Sequence, residues 1–222
     1  MVAKMPAVLQ SSLVWLVVAT GIAYASVGWA ARRTGADREA LDSLVTDIAL
    51  WALLGSRLIY AISDPYATLH QPARLLLLNG VLAARGAAAG GALAVLYHAV
   101  RRRRFHLGTT RDGAALVLAA AGPALMLAWG PDGLAVPSTL APLGPLHPVA
   151  FYYATIHVIV TAVLWLWPER SLARYVAMLG AMFVIVENFR QAPLVGGLAT
   201  ALQLAGAVAL ISGLAFWSTK RS

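Results

Sequence analysis

Four ionisable residues fall inside long apolar stretches of this sequence: Asp47, Arg57, Arg85 and Glu187. A charge in such a setting is costly to keep and is by default a functional candidate. Arg85 opens a run of small residues, Gly86-Ala87-Ala88-Ala89-Gly90. Its guanidinium suits bidentate binding of a phosphate, or a structural pair with a carboxylate such as Glu187. Arg57 follows Asp47 by ten residues, about 15 Å along a helix, so the two do not pair directly. It either serves a site or snorkels to an interface. Glu187 and Arg190 are spaced i, i+3 and share a helix face, as a self-contained surface ion pair or as part of a site. His147 precedes Pro148 at the head of an apolar stretch. It is placed either as a general base or as a structural histidine. His157 lies mid-stretch, and neither histidine has metal-ligand spacing with Asp or Glu. There is no P-loop, dinucleotide fingerprint or nucleophile elbow.

These residues need helices that live in lipid. The 222-residue chain is 60% hydrophobic and 12% charged, against roughly 25% charged for a soluble domain. It has no cysteine, which excludes disulfides, thiolate nucleophiles and zinc–thiolate sites. The +8 net charge sits in short basic runs between apolar segments, a membrane-loop pattern and not a nucleic-acid surface. The expected fold is all-α and polytopic, one integral membrane domain over 1–222. About 20 apolar residues cross a bilayer. Seven spans are expected, near 9–31, 41–63, 83–100, 113–130, 148–167, 171–189 and 196–218, with an interfacial arm near 66–82. The first is read as a retained helix, since no charge interrupts Met5 to Ala31. The Gly86/Gly90 face is a small-xxx-small surface that lets a neighbouring helix approach closely.

With seven spans the loops alternate. One set carries Arg32, Arg33, Arg38, Arg101 to Arg104, Arg111, Arg170, Arg174, Lys220 and Arg221; the other carries Lys4, Arg74 and Arg190. The cation-rich set is expected in the cytoplasm, with the N-terminus outside and the C-terminus inside.

Four motifs in order resemble bacterial prolipoprotein diacylglyceryl transferases. Leu54-Gly55-Ser56-Arg57-Leu58-Ile59-Tyr60 is similar to that family's Gly-Ala-Arg-x-x-Tyr segment. Asn79-Gly80-Val81-Leu82-Ala83-Ala84-Arg85-Gly86 to Gly90 is similar to Asn-Gly-Gly-Leu-Ser-Phe-His-Gly-Gly-Leu-x-Gly. His147-Pro148-Val149-Ala150-Phe151-Tyr152-Tyr153 resembles His-Pro-Thr-Gln-Leu-Tyr-Glu, and Val186-Glu187-Asn188-Phe189-Arg190 resembles Val-Glu-Phe-Phe-Arg. The resemblance implies a plasma-membrane protein of bacteria that transfers a diacylglyceryl group from phosphatidylglycerol to the lipobox cysteine of a preprolipoprotein. It implies a lipid-accessible central cavity and no metal or other cofactor. By the same resemblance Arg85, His147 and Glu187 are the catalytic candidates. Arg57, Tyr60, Asn79, Arg85, Tyr152 and Arg190 are the lipid- or phosphate-binding ones.

The departures bear on activity. Arg85 stands where the family has His. Ala124, Leu127 and Asp132 stand where its signature has Arg, Asn and Glu, and Phe183 where it has a further Arg. A divergent anionic-phospholipid binder is therefore expected, with a non-catalytic scaffold or lipid-binding subunit as the rival. A small-solute transporter is disfavoured because no inverted repeat is visible.

Overall fold

The computed structural model describes residues 12–70, 81–101, 108–129, 148–190, 194–195 and 199–218. Long helices carry the architecture: α1 (Ser12–Thr34), α2 (Arg38–Ser63), the short α3 (Pro65–His70), α4 (Val81–Arg101), α5 (Gly108–Trp129), α6 (Val149–Leu166), α7 (Ser171–Val186) and α8 (Ala201–Ser218). A 3₁₀ turn, Glu187–Phe189, extends α7. Strands β1 (Leu194–Val195) and β2 (Ala199–Thr200) form an antiparallel ribbon, Leu194 opposite Thr200, before α8.

Among the described residues, six helices are long and apolar enough to cross a membrane: those of α1, α2, α5, α6, α7 with its 3₁₀ turn, and α8. The expectation of seven is corrected to that extent. The remaining expected span coincides with α4, which is 21 residues long but is not one of the six. Its sequence spends positions on Arg85, Gly86, Gly90, Gly91, His98 and Arg101, where the other helices carry Leu, Ile and Val. Within the last expected span, 196–218, residues Ala199–Thr200 form strand β2 and the helix α8 starts at Ala201. Of the expected arm, α3 is described, and residues 71–80 lie outside the described set.

Local chemistry sets the helix ends. Gly35 ends α1 in the left-handed region, φ +69°, and Ala36 N–H reaches back to the Ala31 carbonyl at 3.2 Å, a glycine C-cap of the Schellman type. Asp37 Oδ1 accepts the Glu39 N–H at 3.0 Å at the head of α2. Asp112 of α5 accepts the Leu172 N–H at 2.8 Å and caps α7 from outside. Thr200 and Gln203 form a reciprocal capping box on α8: Thr200 Oγ1 accepts Gln203 N–H at 3.1 Å, and Gln203 Oε1 accepts Thr200 N–H at 2.8 Å.

Two antiparallel helix pairs are built on glycine. In α2–α4, Gly55 lies against the backbone of Gly86 and Gly90, and Gly90 lies against that of Trp51; a Cβ at any of the three would collide. The Gly86/Gly90 face thus does what its sequence predicts. In α7–α8, Gly180 and Gly206 lie against each other's backbones, and Gly213 lies against Ala177. Between the pairs stand α1, α5 and α6. The main core joins α1, α2, α5 and α6 through Ala19, Val27, Leu41, Leu116, Val160 and Leu164. The α7–α8 pair docks through α7 on α5 and α6, whereas the α2–α4 pair leans chiefly on α1.

Candidate functional site

The most densely bonded polar cluster lies where the start of α6, the end of α7 and the start of α8 meet. Glu187 has a side chain 0% exposed and is ion-paired to Arg190, Nη1 to Oε1 at 3.1 Å. The same nitrogen reaches Oε2 at 3.4 Å. Tyr153 donates its hydroxyl to Oε1 at 2.6 Å, and Thr200 donates Oγ1–H to Oε2 at 2.9 Å. Burying a carboxylate without partners would cost several kcal/mol; here three side chains from three elements donate to it. The 3₁₀ turn makes this possible, because it brings Arg190, at i+3, back over Glu187. Gln203 Nε2 donates to Asn188 Oδ1 at 3.2 Å and ties the α8 cap to the same turn. An apolar layer of Val149, Met182 and Val186, with Phe183 edge-on to Tyr153 at 5.6 Å, closes the cluster from below.

A second feature is an apolar cavity of about 510 Å³ between α1, α2 and α5. Ala and Leu/Val side chains dominate its wall, with Gly21 of α1 and Ala87 of α4 included. Its few hydroxyls are spent internally: Thr20 donates to the Leu16 carbonyl at 2.9 Å, Ser56 to the Leu53 carbonyl at 2.7 Å, and Tyr24 bonds Thr46 at 2.8 Å. The volume lies within the range of ligand pockets, about 300–1,000 Å³, and the lining suits a hydrocarbon chain. Ser56 is the last α2 residue on the wall, and Arg57 follows it.

The sequence-derived site residues distribute as follows. Glu187 and Arg190 pair as their spacing predicts, but in a buried setting and not at a surface. Tyr152 is half-buried with its ring edge-on to Phe189 at 5.7 Å. Arg57 is half-buried on α2, the helix that pairs with α4 and not with α7. Tyr60 and Arg85 lie on α2 and α4, with side chains outside the described set; Asn79, Asp132 and His147 lie outside it entirely. Ala124 is 3% exposed in the main core, and Phe183 packs on Tyr153, so both positions read as arginine in the resemblance are filled by apolar packing. Asp47 does not act alone: His98 Nε2 lies 2.6 Å from its Oδ2, stapling α4 to α2. His157 is fully buried, 3.2 Å from the Tyr175 hydroxyl, and occupies the space that a Cβ on Gly122 would need. Among the described residues no three His, Asp or Glu side chains gather in a metal-binding group.

Two partners of Glu187, Tyr153 and Thr200, and the partner of Asp47, His98, are not among the residues singled out from sequence. The first is one position past Tyr152, about 100° further round the helix. Thr200 has a visible signal, the Thr-x-x-Gln capping pattern of 200–203.

A bundle of long apolar helices, with a buried carboxylate that accepts from three side chains and an apolar cavity, defines a multi-pass membrane protein. Residues 11–219 match prolipoprotein diacylglyceryl transferase, and the chain belongs to that family. No curated protein sequence matches it significantly.

Proposed function

We propose that this protein is a divergent diacylglyceryl transferase-like protein that binds an anionic phospholipid such as phosphatidylglycerol and has little or no transfer activity. It is read as a single domain of the bacterial inner membrane, N-terminus outside and C-terminus in the cytoplasm. The observation that carries lipid binding is the cavity of about 510 Å³, a hydrocarbon-lined chamber whose α2 wall ends at Ser56, next to Arg57. An acyl chain in the chamber places its headgroup near that arginine, where a charge-assisted phosphate contact is strong. Arg85 belongs to the same level of the α2–α4 pair, since Gly86 packs on Gly55.

Weak catalysis is supported by Ala124 and Phe183. The family resemblance puts arginines there, and loss of one transition-state donor costs about 10²–10³ in rate. Glu187 already accepts from Tyr153, Thr200 and Arg190, which leaves it poorly placed to take a thiol proton. His147 is the remaining candidate base for a lipobox thiol. The same observations favour the rival reading, a non-catalytic lipid-binding subunit of a membrane complex.

Gly21 lines the cavity and has open space where a Cβ would stand. Gly21→Leu therefore fills the chamber without a clash and removes a helix-weakening glycine. The purified variant is expected to keep its fold and to bind phosphatidylglycerol at least tenfold more weakly than the parent in mixed micelles. Undiminished binding by a folded Gly21→Leu protein would remove the cavity from the account.

A further inference from the structure

At the end of the bundle opposite the Glu187 cluster, three arginines grip neighbouring helices in one repeated way. Arg33 of α1 lies over the Trp29 ring at 5.7 Å and donates from Nη2 to the Trp165 carbonyl at 3.0 Å. Arg174 of α7 lies over the Trp217 ring at 5.5 Å and donates from Nη1 to the Trp167 carbonyl at 2.6 Å. Arg170 donates to the Trp217 carbonyl. It does so from a left-handed backbone, φ 53°, the only positive φ at a non-glycine among the described residues. The Trp29 and Trp165 rings lie against each other with centroids 4.5 Å apart and a tilt of 34°. The last turn of α6 is thus held from both sides, and the ends of α1, α6 and α8 and the start of α7 form one rim.

Part of this is helix capping, since terminal carbonyls lack intrahelical donors. Capping uses only part of each guanidinium. Arginine has five N–H donors, and each of these three gives one to a carbonyl. Trp165, Trp167 and Trp217 remain 43%, 58% and 45% exposed, and indole rings at the end of a membrane bundle sit at headgroup level. Arg32 adds an exposed cation. The anions at this end are distributed otherwise. Asp112 and Asp37 are spent on the N–H groups of Leu172 and Glu39. Asp42 pairs with Arg38 at 3.6 Å, Glu39 lies on the first turn of α2, and Glu169 is exposed beside Arg170.

We propose that this rim is a second lipid site, separate from the α1–α2–α5 cavity, which takes the phosphate of an anionic lipid headgroup on Arg33 and Arg174 at the last turn of α6. The indole rings of Trp165 and Trp217 seat the glycerol region. Forked donors fit a phosphodiester better than a point charge does, and the site depends on neither the transfer chemistry nor the cavity.

The test uses the whole chain in lipid nanodiscs, with Trp15, Trp51 and Trp129 replaced by Phe so that the rim tryptophans report. Energy transfer from tryptophan to a lipid carrying a dansyl group on its headgroup is read at equal mole fractions of anionic and zwitterionic label. Transfer to the anionic label is expected to exceed that to the zwitterionic one. Arg33→Gln with Arg174→Gln should abolish the excess, and each single change should halve it, which keeps the test open if the double variant fails to fold. Gly21→Leu should leave the excess unchanged, so failure here and failure of the cavity reading are distinguishable. Equal transfer to both labels, or an excess that survives in the arginine variants, would overturn the proposal. So would an excess erased by inorganic phosphate at constant ionic strength, which would make the rim a site for a free anion and not for lipid.

Discussion

The α2–α4 and α7–α8 pairs are both antiparallel, both closed by glycine backbones, and built for different ends. The α7–α8 pair surrounds its buried charge: Glu187 draws donors from α6, from its own turn and from the cap of α8. Polar order there is complete, and the neighbouring space is filled by Met182, Val186 and Phe183. The α2–α4 pair carries a histidine–carboxylate contact, His98 with Asp47, whose carboxylate side chain is 27% exposed, and it flanks the cavity. The comparison teaches where this fold keeps rigidity and where it keeps room. The cluster around Glu187 is the rigid one, and the apolar cavity lies on the other side of α1 and α5.

The largest expected difference between the pairs comes from removing their carboxylates. Glu187→Leu removes the acceptor shared by Arg190, Tyr153 and Thr200 and should cost about 3 kcal/mol, the scale for breaking a buried pair. Glu187→Gln, which keeps an acceptor, should cost less than half of that. Unfolding in detergent followed by tryptophan fluorescence reads both. A Glu187→Leu protein as stable as the parent would mean that the cluster does not hold α6, α7 and α8 together.

Next come the glycines. Gly180→Leu forces α8 off α7 and should cost about 2–3 kcal/mol, the range for overpacking. Gly55→Leu parts α2 from α4 and should cost less, because that pair has the cavity beside it into which to shift. The reverse order in the same unfolding measurement would contradict the assignment of rigidity.

Thr200→Val removes both an N-cap and a donor to Glu187, for an expected loss of about 1–2 kcal/mol. Asp47→Leu should have the smallest effect, about 1 kcal/mol, the scale of one hydrogen bond, since the Asp47 carboxylate is partly exposed. If Asp47→Leu proves as damaging as Glu187→Leu, the α2–α4 pair is no looser than its counterpart.

The sequence made the helices visible because lipid imposes long apolar runs, and six of those runs return as helices able to cross a membrane. Gly86 and Gly90 were legible as a contact face for a simple reason: nothing but close approach explains two glycines one turn apart in an apolar helix. The α4 span was less clear, since small residues that favour packing also lower hydropathy. Glu187 with Arg190 was legible from spacing alone, but burial was not, because it depends on Tyr153 and Thr200, 34 and 13 residues away in sequence. The capping pattern marks Thr200 as a helix start but not as a partner of Glu187, because it falls inside the expected span of 196–218 and the two-residue strand Ala199–Thr200 leaves no pattern of its own. The Asp47–His98 contact joins residues 51 apart and has no local signature.

Transfer itself is the most direct test of the central claim, that a family member has kept the lipid and lost the chemistry. Purified protein loaded with phosphatidylglycerol is mixed with a fluorescent lipobox peptide, beside a family member that carries the full arginine signature. The account predicts measurable lipid binding with turnover at least about 10²-fold below that control, the cost of one missing oxyanion-type donor. Turnover within about tenfold of the control, roughly 1.4 kcal/mol in barrier, would contradict it. In that case Arg85 would be the first residue to test as a replacement cation.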